Sequence, residues 1–210
     1  RFLGKMEGMT MAGNTCSNAR VYMDCIAQQL QLVNDLAIDK ATRAIFDAWR
    51  GDRRVFIYGN GGSAHSASHW ALDLMKTAAI DGQPRLKAVS LADNIGTLTA
   101  VGNDISFDEI FRYPLHAYAE EGDVAVAISC SGNSANVVNA SEWAHTHGMT
   151  CITLTGFNGG KLRECGDINI HVPSDNYGVI EDIHMACGHM VAQGLRHMIL
   201  AAQEAKVTTW

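Results

Sequence analysis

The stretch Arg54-Val-Phe-Ile-Tyr-Gly-Asn-Gly-Gly-Ser63 decides the fold. Val55 to Tyr58 form a short run of β-branched and aromatic residues, which reads as a buried strand. The glycines after it admit positive φ and close backbone approach. Ser63 then opens a stretch, Ser63–Ala79, with helical spacing. Working outward, the same grammar recurs. Apolar runs stand at Leu86–Leu91, Val124–Ser129, Thr150–Thr155 and Ile168–Val172, and helical patterns at Ser134–His147 and Val179–Ala202. Upstream, helical spacing covers Ser17–Leu36 and then Lys40–Arg50. Buried strands alternating with helices predict a parallel sheet covered on both faces, a doubly wound α/β domain. With no internal repeat or linker, the expected partition is an extension over 1–14 and a single domain over 15–210 that includes the N-terminal helices.

The chain has 210 residues, 47% of them apolar and 18% charged, which suits one packed core rather than two large ones. A formal charge of -6 argues against a nucleic-acid binder, which needs a basic face. An anionic metabolite stays allowed, because backbone N–H groups can hold phosphate on an acidic protein. Six cysteines without a CxxC pair read as reduced thiols, and no run is apolar enough to span a membrane. The expectation is a soluble cytoplasmic protein.

Two strand-to-helix turns carry the chemistry: Gly59-Asn-Gly-Gly-Ser63 and Ser129-Cys-Ser-Gly-Asn-Ser134. Either alone reads equally as a tight turn with a capping serine. Four hydroxyl or amide side chains within 129–134 make the second turn more specific. Neither fits the Walker A or the dinucleotide spacing, so a phosphorylated small molecule is favoured over a nucleotide. Its expected contacts are Asn60, Gly61, Ser63, Ser129, Cys130, Ser131 and Ser134.

On Ser63–Ala79, Ala67, Trp70, Ala71, Leu74 and Ala78 share one side, while His65, His69 and Asp73 stand at i, i+4 and i+8 on the other. Such neighbours can share a proton or a metal ion, or simply face solvent. The closing helix adds Glu181, Asp182, His184 and His189. Eight residues separate Glu181 from His189 by roughly 12 Å of axial rise, so they meet at one point only through converging side chains or a loosened first turn. Glu181 and Asp182 also suit a helix N-terminus. His184 is expected to be structural, and His189 reads as a site residue or a core histidine.

Together these segments resemble the SIS family, specifically its phosphoheptose isomerase branch. The resemblance rests on Gly59-Asn-Gly-Gly-Ser63 with His69, on Asn103-Asp104 with Phe107-Asp-Glu-Ile-Phe111, and on Ile128-Ser-Cys-Ser-Gly-Asn-Ser-Ala-Asn136. Ile152-Thr-Leu-Thr-Gly156 with Gly159-Gly-Lys161 and the Glu181…His189 segment extend it. It implies a three-layer αβα sandwich on a five-stranded parallel sheet, flavodoxin-like, assembled as a homotetramer with interfacial active sites. It further implies phosphate binding by Ser63, Ser129, Ser131 and Ser134, and a zinc-capable set at His69, Asp73, Glu181 and His189. Asp73 and His189 fall at the family's proton-transfer pair.

Several positions depart from the family. Asp73 stands where a Glu is usual, and Glu181 where a Gln is usual. Cys130 replaces a Thr, Asn94 (beside Asp93) replaces a sugar-contacting Asp, and Thr77 replaces an Arg with Lys76 beside it. A one-methylene shorter base is expected to shift by about an ångström, enough to matter for catalysis. The implied reaction is ketose–aldose isomerisation of sedoheptulose 7-phosphate, or of a longer or differently configured ketose phosphate. The rival reading is a non-catalytic SIS module that binds a replication-initiation protein, which lacks the carboxylate retained here at Asp73. A sugar-phosphate-sensing DNA-binding regulator ranks last, because no basic recognition helix precedes the domain.

Overall fold

The computed structural model describes residues 16–207; the expected extension over 1–14 lies outside them. Five parallel strands form one sheet: β1 (Arg54–Gly59), β2 (Lys87–Ser90), β3 (Val124–Ser129), β4 (Thr150–Thr155) and β5 (Ile168–His171). Their spatial order is β2-β1-β3-β4-β5, with Val55 opposite both Ala88 and Val124 and Ser129 opposite Thr155. This is the flavodoxin-like order, in which the chain reverses direction of winding between β1 and β3.

Alternation along the strands builds two cores. Val55, Ile57, Val124, Val126, Ile152 and Leu154 face one side, against α2 (Asp35–Arg50), α3 (Gly62–Leu72) and α8 (Tyr177–Val207). Phe56, Tyr58, Ala125, Ala127 and Cys151 face the other, against α5 (Arg112–Tyr118), α6 (Ala135–Thr146) and α7 (Leu162–Cys165). Both faces are therefore apolar, which is why β1, β3 and β4 read as continuous hydrophobic runs. α1 (Ala19–Leu30) lies outside the first layer, and α4 (Ile95–Asp104) follows β2. No helix among the described residues is long and apolar enough to cross a membrane.

The expected first helix, 17–36, is corrected to end at Leu30. Asn34 accepts a hydrogen bond from Leu36 N at 3.1 Å and starts α2 four residues later, leaving Leu36 exposed. The second helix accordingly begins at Asp35 rather than Lys40. The helix expected over 63–79 changes character at Asp73, where a π-helical turn runs from Asp73 to Thr77 and Ala78 N reaches Asp73 O at 2.9 Å.

Candidate active site

Both phosphate-type turns lie at the carboxyl ends of β1 and β3, flanking the point where the strand order reverses. That is where ligands settle in such sheets. A reciprocal amide pair ties the turns together: Asn60 Nδ2 donates to Asn136 Oδ1 at 2.8 Å, and Asn136 Nδ2 donates to Asn60 Oδ1 at 3.0 Å. Asn60 is thus held by a buried partner that pattern reading did not single out. The second turn is ordered from within, since Gly132 N donates to Ser129 Oγ at 3.2 Å and Asn133 N to Ser131 Oγ at 3.3 Å. Ser129 and Ser134 hydroxyls stand 3.4 Å apart. The β4–α7 loop buttresses it through Lys161 N to Asn133 Oδ1 at 3.2 Å.

These turns wall a cavity of about 610 Å³ lined by Asn60, Gly61, Ser63, Ser129, Cys130, Ser131 and Ser134, with Tyr177 and Glu181 from α8. α3 and α6 both begin at this cavity, and helix starts are a setting that favours an anion. Burial, together with the Glu181 charge, pushes the Cys130 thiol up to about 12, so it stays protonated and can only donate weakly. Burial also raises the Glu181 carboxyl, Asp182 adds to the rise, and His65 opposes it. The Glu181 carboxylate lies directly against Gly62, so a Cβ at that position would push the carboxylate aside.

α3 and α8 leave this cavity in the same direction, and a second cluster sits further along both. His69 Nε2 lies 3.3 Å from Asp73 Oδ2, His189 Nε2 lies 3.5 Å from the same oxygen, and the two imidazole nitrogens are 3.1 Å apart. Asp73 is largely buried and its other oxygen accepts from Thr77 Oγ1 at 2.7 Å. The histidines are nearly half exposed, with side-chain exposures of 44% and 47%. The shorter aspartate therefore still reaches both imidazoles, and Thr77 serves to orient it.

Three donor atoms at mutual spacings of 3.1–3.5 Å match the separation of about 3.3 Å expected for ligands around a tetrahedral zinc. His69, Asp73 and His189 together form a group that could hold a metal. Glu181 does not join it. Continuous α-helix between residues 181 and 189 keeps the carboxylate beside Gly62, at the phosphate-turn end. His65 turns back to the carbonyl of Gly61 at 3.0 Å. His184 is fully buried, its Nε2–H donating to Thr155 O at 3.2 Å, which makes it structural.

Asp93 and Asn94 lie elsewhere. Asp93 accepts from the hydroxyls of Ser68 and Ser90, and Asn94 caps α4 by accepting from Thr97 N at 3.0 Å. Both line a separate cavity with Leu72, Met75 and Ile95.

Residues 21–156 match the SIS domain family. The chain belongs to that family. Within it, the phosphoheptose isomerase of Mycobacterium tuberculosis (strain ATCC 25177 / H37Ra) is 37% identical over 188 residues, covering 88% of this chain and 95% of its own length. The phosphoheptose isomerase of Rhodospirillum rubrum is 43% identical over 155 residues, covering 74% and 82%. Among solved structures, phosphoheptose isomerase GmhA from Neisseria gonorrhoeae superposes with a TM-score of 0.78 at 31% identity, covering 84% of this chain and 95% of that one.

Proposed function

We propose that this chain is an aldose–ketose isomerase that converts sedoheptulose 7-phosphate, or a closely related ketose phosphate, through an enediol. One observation carries the reading: His69, Asp73 and His189 converge on α3 and α8 at a fixed remove from the phosphate turns that begin α3 and α6. From Ser63 to His69 the axial rise is about 9 Å. A chain of seven bonds, from the carbonyl carbon of a heptulose to the phosphorus at its far end, spans about 8 Å at the extended rise of roughly 1.2 Å per bond. The spacing therefore supports a long sugar. The phosphoheptose isomerases at 37% and 43% identity support the same class.

In this reading Ser63, Ser129, Ser131 and Ser134 and the helix-start N–H groups hold the phosphate. Asp73 accepts the proton from the carbon next to the carbonyl. His189 carries a proton to and from the carbonyl oxygen, while His69 and Glu181 orient the polyol. Thr77 Oγ1–H holds one oxygen of this largely buried carboxylate and leaves Oδ2, beside the two imidazoles, for this task. His69, Asp73 and His189 would also hold zinc, which when bound polarises the carbonyl and stabilises the enediolate.

Exposed apolar residues Leu72, Met75, Val89 and Ile95 around the β2 edge support a homo-oligomer, with the homotetramer as the expected form. Six cysteines without a CxxC pair support a reducing compartment, the cytoplasm. Retention of Asp73 between two histidines disfavours the partner-binding alternative.

The test is incubation of metal-defined protein with sedoheptulose 7-phosphate, followed by NMR. An aldose phosphate signal is expected. No conversion together with tight association to a protein partner would overturn the reading.

A further inference from the structure

α1, outside the first helical layer, is lightly held. It contributes no fully buried residue, and only Tyr22, Cys25, Ile26 and Leu30 pack partly against the core. It is tied to α8 by Tyr22 O–H donating to Asp182 Oδ2 at 2.7 Å. A helix docked in this way belongs to the low-stability end of the structure, where local opening is cheapest.

Two thiols meet on this helix. Cys16 precedes the N-cap residue Asn18, Cys25 lies within α1, and their sulfurs stand 3.6 Å apart although nine positions separate them in sequence. Both are half-buried, whereas Cys130, Cys151 and Cys187 are buried and Cys165 has no thiol partner at such a distance among the described residues. Asn176 Nδ2 donates to Cys16 Sγ at 3.8 Å, and the same side chain caps α8 by accepting from Val179 N at 3.2 Å. The pair also forms part of the wall of a cavity of about 900 Å³ that Ser131, Asn133 and Tyr177 line as well. Solvent-borne oxidants therefore reach the sulfurs without unfolding the domain.

We propose that Cys16 and Cys25 form a reversible intramolecular disulfide that clasps α1 to the segment leading into it, with a low-molecular-weight disulfide as the oxidant. One thiolate attacks a sulfur of the oxidant and expels its first thiolate, giving a mixed disulfide. The second cysteine thiolate attacks the protein sulfur and expels the other. The cysteine pair loses two electrons, the oxidant's S–S bond is reduced to two thiols, and the two cysteine protons pass to the leaving thiolates. Sulfurs already in van der Waals contact need about 1.5 Å of further approach to reach bonding distance. The bond closes a short loop and so removes open conformations of α1 rather than adding native contacts. Neither sulfur touches the His69–Asp73–His189 group, so the clasp stands independently of the isomerase reading.

The sequence provides its own test. Trypsin cuts after Arg20, between the two cysteines, so the disulfide leaves peptides 6–20 and 21–40 joined. The full chain would be equilibrated in glutathione buffers of increasing oxidising poise, quenched with an alkylating agent, digested and analysed by mass. The joined pair is expected to accumulate, to separate on treatment with dithiothreitol, and to be absent in Cys25→Ser. Amide exchange across α1 is expected to slow by about fivefold or more in the oxidised form. Glutathione adducts on the separate peptides, or doubly alkylated peptides at every poise, would overturn the proposal. A joined pair without slower exchange would overturn the clasp.

Discussion

His69 Nε2 and His189 Nε2 stand 3.1 Å apart although 120 residues separate them, and Asp73 Oδ2 completes a triangle with both. Two neutral imidazoles facing each other at this distance can share only one proton, so the arrangement suits either a shared proton or a cation between them.

Zinc retention should follow this triangle. Protein dialysed against zinc and then freed of excess should retain close to one equivalent per chain by elemental analysis, and His189→Ala should retain little. Glu181→Gln should retain zinc as the parent does, because its carboxylate sits at the phosphate-turn end. Loss of zinc in Glu181→Gln would place the metal elsewhere.

The phosphate turns should act on binding rather than turnover. Ser134→Ala removes one donor to a dianion, and charge-assisted hydrogen bonds are worth about 1.5–3 kcal/mol. KM should rise roughly tenfold or more with kcat within a factor of two, the pattern of a contact made equally in ground and transition states. A fall in kcat at unchanged KM would remove Ser134 from phosphate binding.

Packing of α3 on α8 depends on a glycine. At Gly188 a Cβ would overlap the Trp70 indole nitrogen, and Trp70 is almost fully buried with its N–H donating to His184 O at 3.2 Å. Gly188→Ala should cost about 1–3 kcal/mol by overpacking, read as a lower denaturation midpoint. It should also weaken activity, because His69 and His189 ride on these two helices. An unchanged midpoint would show that the helices part without cost.

Stability should fall in acid through His184. Burial depresses its pKa from the usual 6.5 to about 4, and its Nδ1 finds no partner among the described residues. Between those values the unfolded chain binds a proton that the folded chain refuses, so this contribution is complete above about 6.5 and is lost as pH falls towards 4. The full loss is on the order of 3 kcal/mol. His184→Gln, which keeps a donor for Thr155 O, should show a shallower decline in unfolding free energy between pH 6.5 and 4.5. Equal slopes would assign the acid sensitivity to other groups.

Much of this architecture is legible in the chain because β1, β3 and β4 are buried on both faces. Their apolar runs coincide with the strands Arg54–Gly59, Val124–Ser129 and Thr150–Thr155. The break between α1 and α2 was harder to read, since it depends on one capping side chain, Asn34, within an amphipathic stretch. Helical spacing alone placed His69 and Asp73 on one face, but nothing local marks the π turn that begins at Asp73. The Asn60–Asn136 pair joins positions 76 apart and has no signature in either turn taken alone. Helical rise did carry a warning about Glu181: eight residues of α-helix are too long for it to meet His189 at a point, and the structure keeps it at Gly62.

The most direct test of the account is isomerisation of sedoheptulose 7-phosphate in deuterium oxide. Asp73 lies beside two half-exposed imidazoles, so a proton it takes should exchange with solvent before return. The wild-type product aldose should carry deuterium at carbon 2 by NMR, and Asp73→Asn should lower turnover by about a hundredfold or more. Product free of deuterium, or Asp73→Asn turning over normally, would contradict proton transfer through this site.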